Sequence, residues 1–137
     1  MHVWMTHALG TILLWGMWGF LAKIASDHLT ARSAAFAQGL GGIAITIVLL
    51  GLIRFRPEFH TSGSLVAFLA GVALWLGIIT FSFALSTGGK ASIVVPLTAL
   101  YPVVTIVLGV AILKEQLTPA HGLGIVFALV AVILLSR

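Results

Sequence analysis

The chain has 137 residues, of which 61% are hydrophobic and 7% are charged, against about 25% charged in an ordinary soluble domain, so lipid is the solvent for most of its surface. The net charge of +4 comes from seven Lys and Arg against three acids, and their placement near predicted helix ends favours phospholipid headgroups over nucleic acid. The absence of cysteine excludes a disulfide framework and a thiolate metal site.

Five apolar runs fill the chain, each close to the ~20 residues that a spanning helix requires. We predict an all-α, polytopic membrane protein with one domain over residues 1–137 and five transmembrane helices, at about 7–26, 31–53, 64–85, 91–113 and 118–135. Strands of a β-barrel would be shorter and would alternate polar with apolar residues. Residues 1–6 lack a basic n-region and a cleavage site, so we expect the first run to be a retained helix.

The first span carries small and aromatic residues on one face. Gly19 and Lys23 lie one turn apart, with Gly16 preceding them and Trp15 and Trp18 beside them. The room that glycine leaves in a membrane helix is filled by a neighbouring helix or forms the wall of a cavity. Lys23, near the end of the span, either extends its ammonium to the interface or serves a solute. We take Trp15, Trp18, Gly19 and Lys23 as candidate substrate-binding residues.

Polar side chains inside the second and third spans are the next candidates. Gln38 lies up to two turns inside the second span, and its amide either ties two helices together or faces a solute. A polar, helix-breaking loop at residues 54–63 separates the two spans. The third span aligns Trp75 and Ser82 on one stripe, and we add both to the substrate-binding set.

The fourth span carries the most specific pattern. Lys90, Thr98 and Tyr101 share a face, whereas Pro96 and Pro102 each remove a backbone donor. A kinked helix with exposed backbone polar groups is tolerated only against protein or in a water-filled cavity. We favour a cavity over a simple packing kink, with Lys90, Thr98 and Tyr101 as binding residues and the two prolines as hinges.

The fifth span begins with an N-cap signal and presents a small-residue face. Thr118 is the predicted N-cap and Pro119 the first helical residue. Gly124, Ala128 and Ala131 suit close helix contact, and we predict that they form a dimer interface.

The distribution of basic residues leaves the orientation open. An odd number of spans places the two ends on opposite sides of the membrane, and cytoplasmic loops normally hold the excess of Lys and Arg. The numbers of basic residues on the two sides are nearly equal. One side has Arg54, Arg56 and Lys114, and the other has Lys23, Arg32, Lys90 and Arg137. Either the chain inserts both ways, which would permit an antiparallel dimer, or a weak bias fixes one orientation.

Several kinds of site are missing from the pattern. Asp27, Glu58 and Glu115 all lie at helix ends, so the buried carboxylate of a proton-driven cation exporter is absent and proton coupling is not expected. The histidines show no metal-ligand spacing, no nucleophile lies beside a base, and no phosphate-binding loop is present. We therefore expect no metal, no cofactor and no enzymatic activity.

Three stretches resemble the EamA type of the drug/metabolite transporter superfamily: WGMWGFLAK at 15–23, GKASIVVPLTALYP at 89–102 and LKEQLT at 113–118. The resemblance covers essentially the whole chain. It implies one five-span repeat where most relatives have two inverted repeats, with a cavity shaped by the first, third and fourth helices. Two copies would then form the working unit.

The resemblance also implies secondary transport of small metabolites by alternating access, in a multi-pass protein of the inner cell membrane. We expect a homodimer, with an antiparallel arrangement left open, and as partners a small-molecule substrate and membrane lipids, with no nucleic acid. One alternative is a small-multidrug-type exporter or a lipid-linked sugar flippase. Another is a structural subunit of a membrane complex that moves nothing itself.

Overall fold

The computed structural model describes residues 3–135, and Arg137, which entered the charge comparison, lies outside them. The helices in chain order are α1 Val3–His28, α2 Ala31–Leu52, α3 Thr61–Ser86, α4 Ala91–Thr98, α5 Tyr101–Ala111 and α6 Pro119–Leu135. No strand occurs in this part of the chain, and the predicted all-α class is confirmed.

The described residues divide into two compact units, one ending at Gly88 and the other beginning at Gly89. In the first unit, α1, α2 and α3 pack against one another. Its buried residues lie where α1 ends, α2 begins and α3 ends: Gly19, Ala22, Ala31, Ala34, Ala35, Phe81, Ser82 and Leu85. Five of these are glycine or alanine in the two helices α1 and α2, and such small residues let helix backbones approach closely in a membrane.

Local hydrogen bonds start the second and third helices. The hydroxyl of Thr30 accepts from the Ser33 backbone N–H at 3.3 Å and caps α2. The Nδ1 atom of His60 accepts from the Gly63 backbone N–H at 3.4 Å and caps α3. Each cap satisfies one of the backbone donors that the first turn of a helix leaves without a partner.

The second unit shows an interruption where one kinked helix was predicted. The chain leaves the helical path after Thr98 and resumes at Tyr101, so the fourth span, Ala91–Ala111, consists of two helical segments, α4 and α5. Pro102 has no N–H to donate to the carbonyl of Thr98, four residues earlier. The Leu100 N–H donates to the carbonyl of Leu97, three residues earlier, at 3.2 Å, which is not the α-helical pattern. The break therefore lies between the two prolines.

The last helix begins as its sequence indicated. The Thr118 hydroxyl accepts from the His121 N–H at 3.3 Å, and Pro119 is the first helical residue, so the predicted N-cap is confirmed. Within the second unit α6 packs against α4.

Four segments among the described residues are long and apolar enough to cross a membrane: Val3–His28, Ala31–Leu52, Thr61–Ser86 and Ala91–Ala111. At a rise of about 1.5 Å per residue, a 26-residue helix such as α1 or α3 extends about 39 Å, more than the ~30 Å hydrocarbon core. The apolar helix α6 has 17 residues and stands at the short end of the range for a spanning helix.

Candidate solute-binding site

A hydrogen-bonded chain of three side chains joins the three helices of the first unit. The indole Nε1–H of Trp18 in α1 donates to Oε1 of Gln38 in α2 at 2.8 Å, and Nε2 of Gln38 donates to Oγ of Ser82 in α3 at 3.3 Å. Because an indole nitrogen only donates, it orients the Gln38 amide with its oxygen toward α1 and its nitrogen toward α3. The amide that the sequence placed inside the second span therefore has partners on both sides.

Aromatic rings support this chain of hydrogen bonds. Trp18 stacks on Phe81 with ring centroids 4.7 Å apart and an interplanar angle of 29°. Trp75 lies six residues before Phe81 in α3 and packs against Gly39 and Gly42 of α2. A Cβ atom at Gly39 would lie 3.7 Å from its ring, and one at Gly42 would lie 2.8 Å from its Cζ2 atom. The absence of a side chain at Gly42 thus gives the Trp75 indole its place against α2.

The three hydrogen-bonded side chains differ in exposure. Ser82 is 2% exposed, whereas Trp18 and Gln38 are half-buried. Only one of the two amide N–H groups of Gln38 is used within residues 3–135. Gln38 therefore keeps one N–H donor beyond its bonds within the cluster, and the buried Ser82 holds the amide from the α3 side.

The other candidates of the first helix have separate surroundings. Gly19 is buried one residue beyond Trp18, and Trp15 is 50% exposed. The ammonium of Lys23 forms an ion pair with Asp27, one turn further along α1. This ion pair offsets the charge of Lys23 and holds its side chain along α1. Lys23 is therefore separate from the hydrogen bonds of Gln38, which involve Trp18 and Ser82.

The candidates of the second unit lie along α4 and the start of α5, or just before them. The Thr98 hydroxyl donates to the carbonyl of Val94 at 2.9 Å, within its own helix. Lys90 and Tyr101 are exposed and precede or begin α4 and α5. Pro96 lies inside α4 and Pro102 in the first turn of α5, on either side of the interruption.

The predicted dimer residues Gly124, Ala128 and Ala131 are exposed on α6. A Cβ atom at Gly124 would meet nothing within 4 Å. Within the described part of the second unit, a side chain at Gly124 would therefore have room for a close neighbour.

Two contacts were missed from the sequence. Phe81 was not singled out, although it is buried and stacks on Trp18. Gly109 is buried in α5 because the carboxylate of Glu115 folds back over it, with Oε2 2.8 Å from where its Cβ would lie. The Glu115 N–H also donates to the Gly109 carbonyl at 3.2 Å. Glu115 belongs to the stretch 113–118, which carried the family resemblance, and that stretch was the available signal.

Within the described residues no three His, Cys, Asp or Glu side chains gather as metal ligands would. Long apolar helices and a polar cluster between three of them define an integral, multi-pass membrane protein. A model of the EamA-like transporter family matches residues 2–137.

The chain therefore belongs to the EamA-like transporter family, and this membership indicates a drug/metabolite transporter. It is 34% identical over 126 residues to "Uncharacterized protein MJ1333.1" of Methanocaldococcus jannaschii, an alignment that covers 90% of this chain and 89% of that one. No solved structure gives a significant match.

Proposed function

We propose that this protein is a secondary transporter of small polar metabolites, with one five-helix domain per chain, which works as a homodimer in the inner cell membrane by alternating access. The observation that supports the proposal is the half-buried pair of Trp18 and Gln38, held by Ser82 inside a membrane-spanning unit. Polar groups in a membrane span are costly and are kept there for a function or for helix association.

The chemistry of the pair indicates what a substrate would offer. The spare N–H of Gln38 would donate to a carboxylate, carbonyl or hydroxyl oxygen. The indole face of Trp18 would contact an apolar or planar part of the same molecule. A small metabolite that combines an oxygen acceptor with an apolar part fits this pair.

The single five-span repeat and the surface of α6 support the homodimer. The family resemblance implies two inverted repeats in the longer relatives, and a second copy of a chain with one repeat would complete a comparable cavity. The exposed small residues Gly124, Ala128 and Ala131 would let the two copies approach closely. Nearly balanced basic residues on the two sides are compatible with two copies of opposite orientation.

Alternating access requires parts of the helices to move, and the fourth span supplies a break. Between α4 and α5, residues 99 and 100 leave the regular helical path, and Pro96 and Pro102 keep the flanking hydrogen bonds incomplete. We propose that the two half-helices change their angle during transport, with Lys90, Thr98 and Tyr101 lining the path of the solute.

The test is uptake by proteoliposomes that contain the purified protein, measured by mass spectrometry with a mixture of labelled amino acids, sugars and nucleotides. The deciding comparison is between two single variants, Gln38→Leu and Ser82→Ala. Gln38→Leu removes the donor that would meet the solute, and we expect kcat/KM to fall about three- to tenfold, as for the loss of one neutral hydrogen bond.

Ser82→Ala is the comparison variant, because it removes one of the two hydrogen bonds of Gln38 at a side chain that is 2% exposed, and leaves in place the bond from Trp18 and the spare N–H of Gln38. We expect it to change kcat/KM by less than about twofold. Equal losses in the two variants would mean that the amide only ties the helices together. Uptake no faster than in protein-free liposomes for every solute would favour a subunit that transports nothing.

A further inference from the structure

The loop between α2 and α3, residues 53–60, interleaves basic and aromatic side chains at one end of two membrane spans. Arg54, Phe55, Arg56 and Phe59 are all exposed, and the two rings are 73% and 83% exposed. Both kinds of side chain would be stabilised by a binding partner, since the free energy of an aromatic ring falls when it leaves water and that of an arginine falls when it pairs with an anion.

The backbone of the loop leaves its arginine side chains free. At the end of α2 the carbonyl groups that a helix terminus leaves open accept hydrogen bonds from the loop N–H groups, as in the 2.9 Å bond from Phe55 to the Leu50 carbonyl. Arg54 and Phe55 hold φ values of 53° and 57°, which fold the chain back over the helix end. The guanidinium groups are therefore not required to cap these carbonyls.

No acid within the described residues neutralises the two arginines. The ion pair between Lys23 and Asp27 is the salt bridge found in residues 3–135. Glu58 lies in the same loop, yet it forms no ion pair with either arginine. The loop thus carries two unpaired guanidinium groups and one carboxylate, with a net positive charge.

We propose that this loop binds the phosphate of an anionic phospholipid. Arg54 and Arg56 would hold the headgroup, because a guanidinium matches phosphate oxygens with two parallel hydrogen bonds. Phe55 and Phe59 would enter the border of the acyl chains beside it. The position argues for a lipid as the source of the phosphate, because the loop joins the spans Ala31–Leu52 and Thr61–Ser86, whose ends meet the headgroup layer.

The test is binding of phosphatidylglycerol and phosphatidylcholine to the purified full-length protein in detergent, measured by native mass spectrometry over a lipid titration. Each basic residue near an anionic headgroup contributes about fivefold in affinity. We expect Arg54→Gln and Arg56→Gln each to weaken phosphatidylglycerol binding about fivefold, and the double variant about 25-fold, without changing phosphatidylcholine binding.

Arg32→Gln is the matched control, because Arg32 is an exposed arginine in the first turn of the same helix, at its other end. We expect it to leave the phosphatidylglycerol affinity of the loop within about twofold. Glu58→Gln should act in the opposite direction and tighten the binding, since it removes the carboxylate beside the arginines. These loop side chains are exposed, and tryptophan fluorescence verifies that each variant is folded.

Three results would overturn the proposal. One is an equal loss of affinity in Arg32→Gln and Arg54→Gln, which would show that the net charge of the protein attracts the lipid. Another is no preference for phosphatidylglycerol over phosphatidylcholine in the native protein. The third is full displacement of the lipid by soluble glycerol phosphate at equal concentration, which would show a site for a free phosphate and no role for the rings. Binding at this loop is independent of whether a solute is transported.

Discussion

Gly42 and Gly41 offer a direct test of the packing between α2 and α3. A Cβ atom at Gly42 would lie 2.8 Å from Cζ2 of Trp75, whereas one at Gly41 would meet nothing within 4 Å. Both glycines lie inside α2, so replacement by alanine changes the intrinsic helix propensity equally, by up to about 1 kcal/mol in favour of the helix. The difference between the two variants therefore isolates the contact with Trp75.

The expected magnitude follows from the overlap. Extra atoms in a packed site cost about 1–3 kcal/mol because neighbouring side chains must leave their preferred rotamers. We expect Gly42→Ala to be less stable than Gly41→Ala by this amount. The free energy of unfolding is measured by adding sodium dodecyl sulfate to the protein in mild micelles and following tryptophan fluorescence, to which Trp18 and Trp75 both contribute.

A second substitution checks that the indole is the cause. Trp75→Phe removes the Cζ2 atom that the new methyl group would meet, so the combination of Gly42→Ala with Trp75→Phe should cost less than the sum of the single changes, by at least about 0.5 kcal/mol. Equal stability of Gly42→Ala and Gly41→Ala, or strictly additive changes in the double variant, would refute the packing of Trp75 against this part of α2.

Three further outcomes are expected. Trp18→Phe keeps a ring beside Phe81 but deprives Gln38 of its donor, and unfolding in micelles should show a loss of about 0.6 kcal/mol, the average measured for hydrogen bonds between membrane helices, and at most about 1.7 kcal/mol; no loss would contradict the hydrogen bond. Thr118→Ala should lower the free energy of unfolding by about 1 kcal/mol by removing the cap of α6, and Thr118→Asn should retain it; equal values for both would exclude the cap. Single cysteines in place of Glu58, in the loop before α3, and Ser86, at the end of α3, should each label to about half with a membrane-impermeant thiol reagent on intact cells if the chain inserts both ways, whereas labelling of one position alone would establish one orientation.

Much of the fold was available from the sequence because the signals are local. An apolar run of spanning length predicts a membrane helix whatever its neighbours are, and Thr118 followed by proline predicts where α6 begins. Gln38 could be predicted as a candidate for the same reason, since burying a side-chain amide inside an apolar run costs free energy whatever the neighbouring helices are.

Only the tertiary structure decided which of these side chains meet. Gln38 lies 20 residues from Trp18 and 44 from Ser82 in the chain, and no sequence period links positions on three different helices. The fit of Trp75 over Gly42 depends on the distance between two backbones, and the interruption between α4 and α5 depends on how both prolines are accommodated at once. Helix formation depends on each segment and its solvent, whereas the site depends on the packing of segments that are distant in the chain.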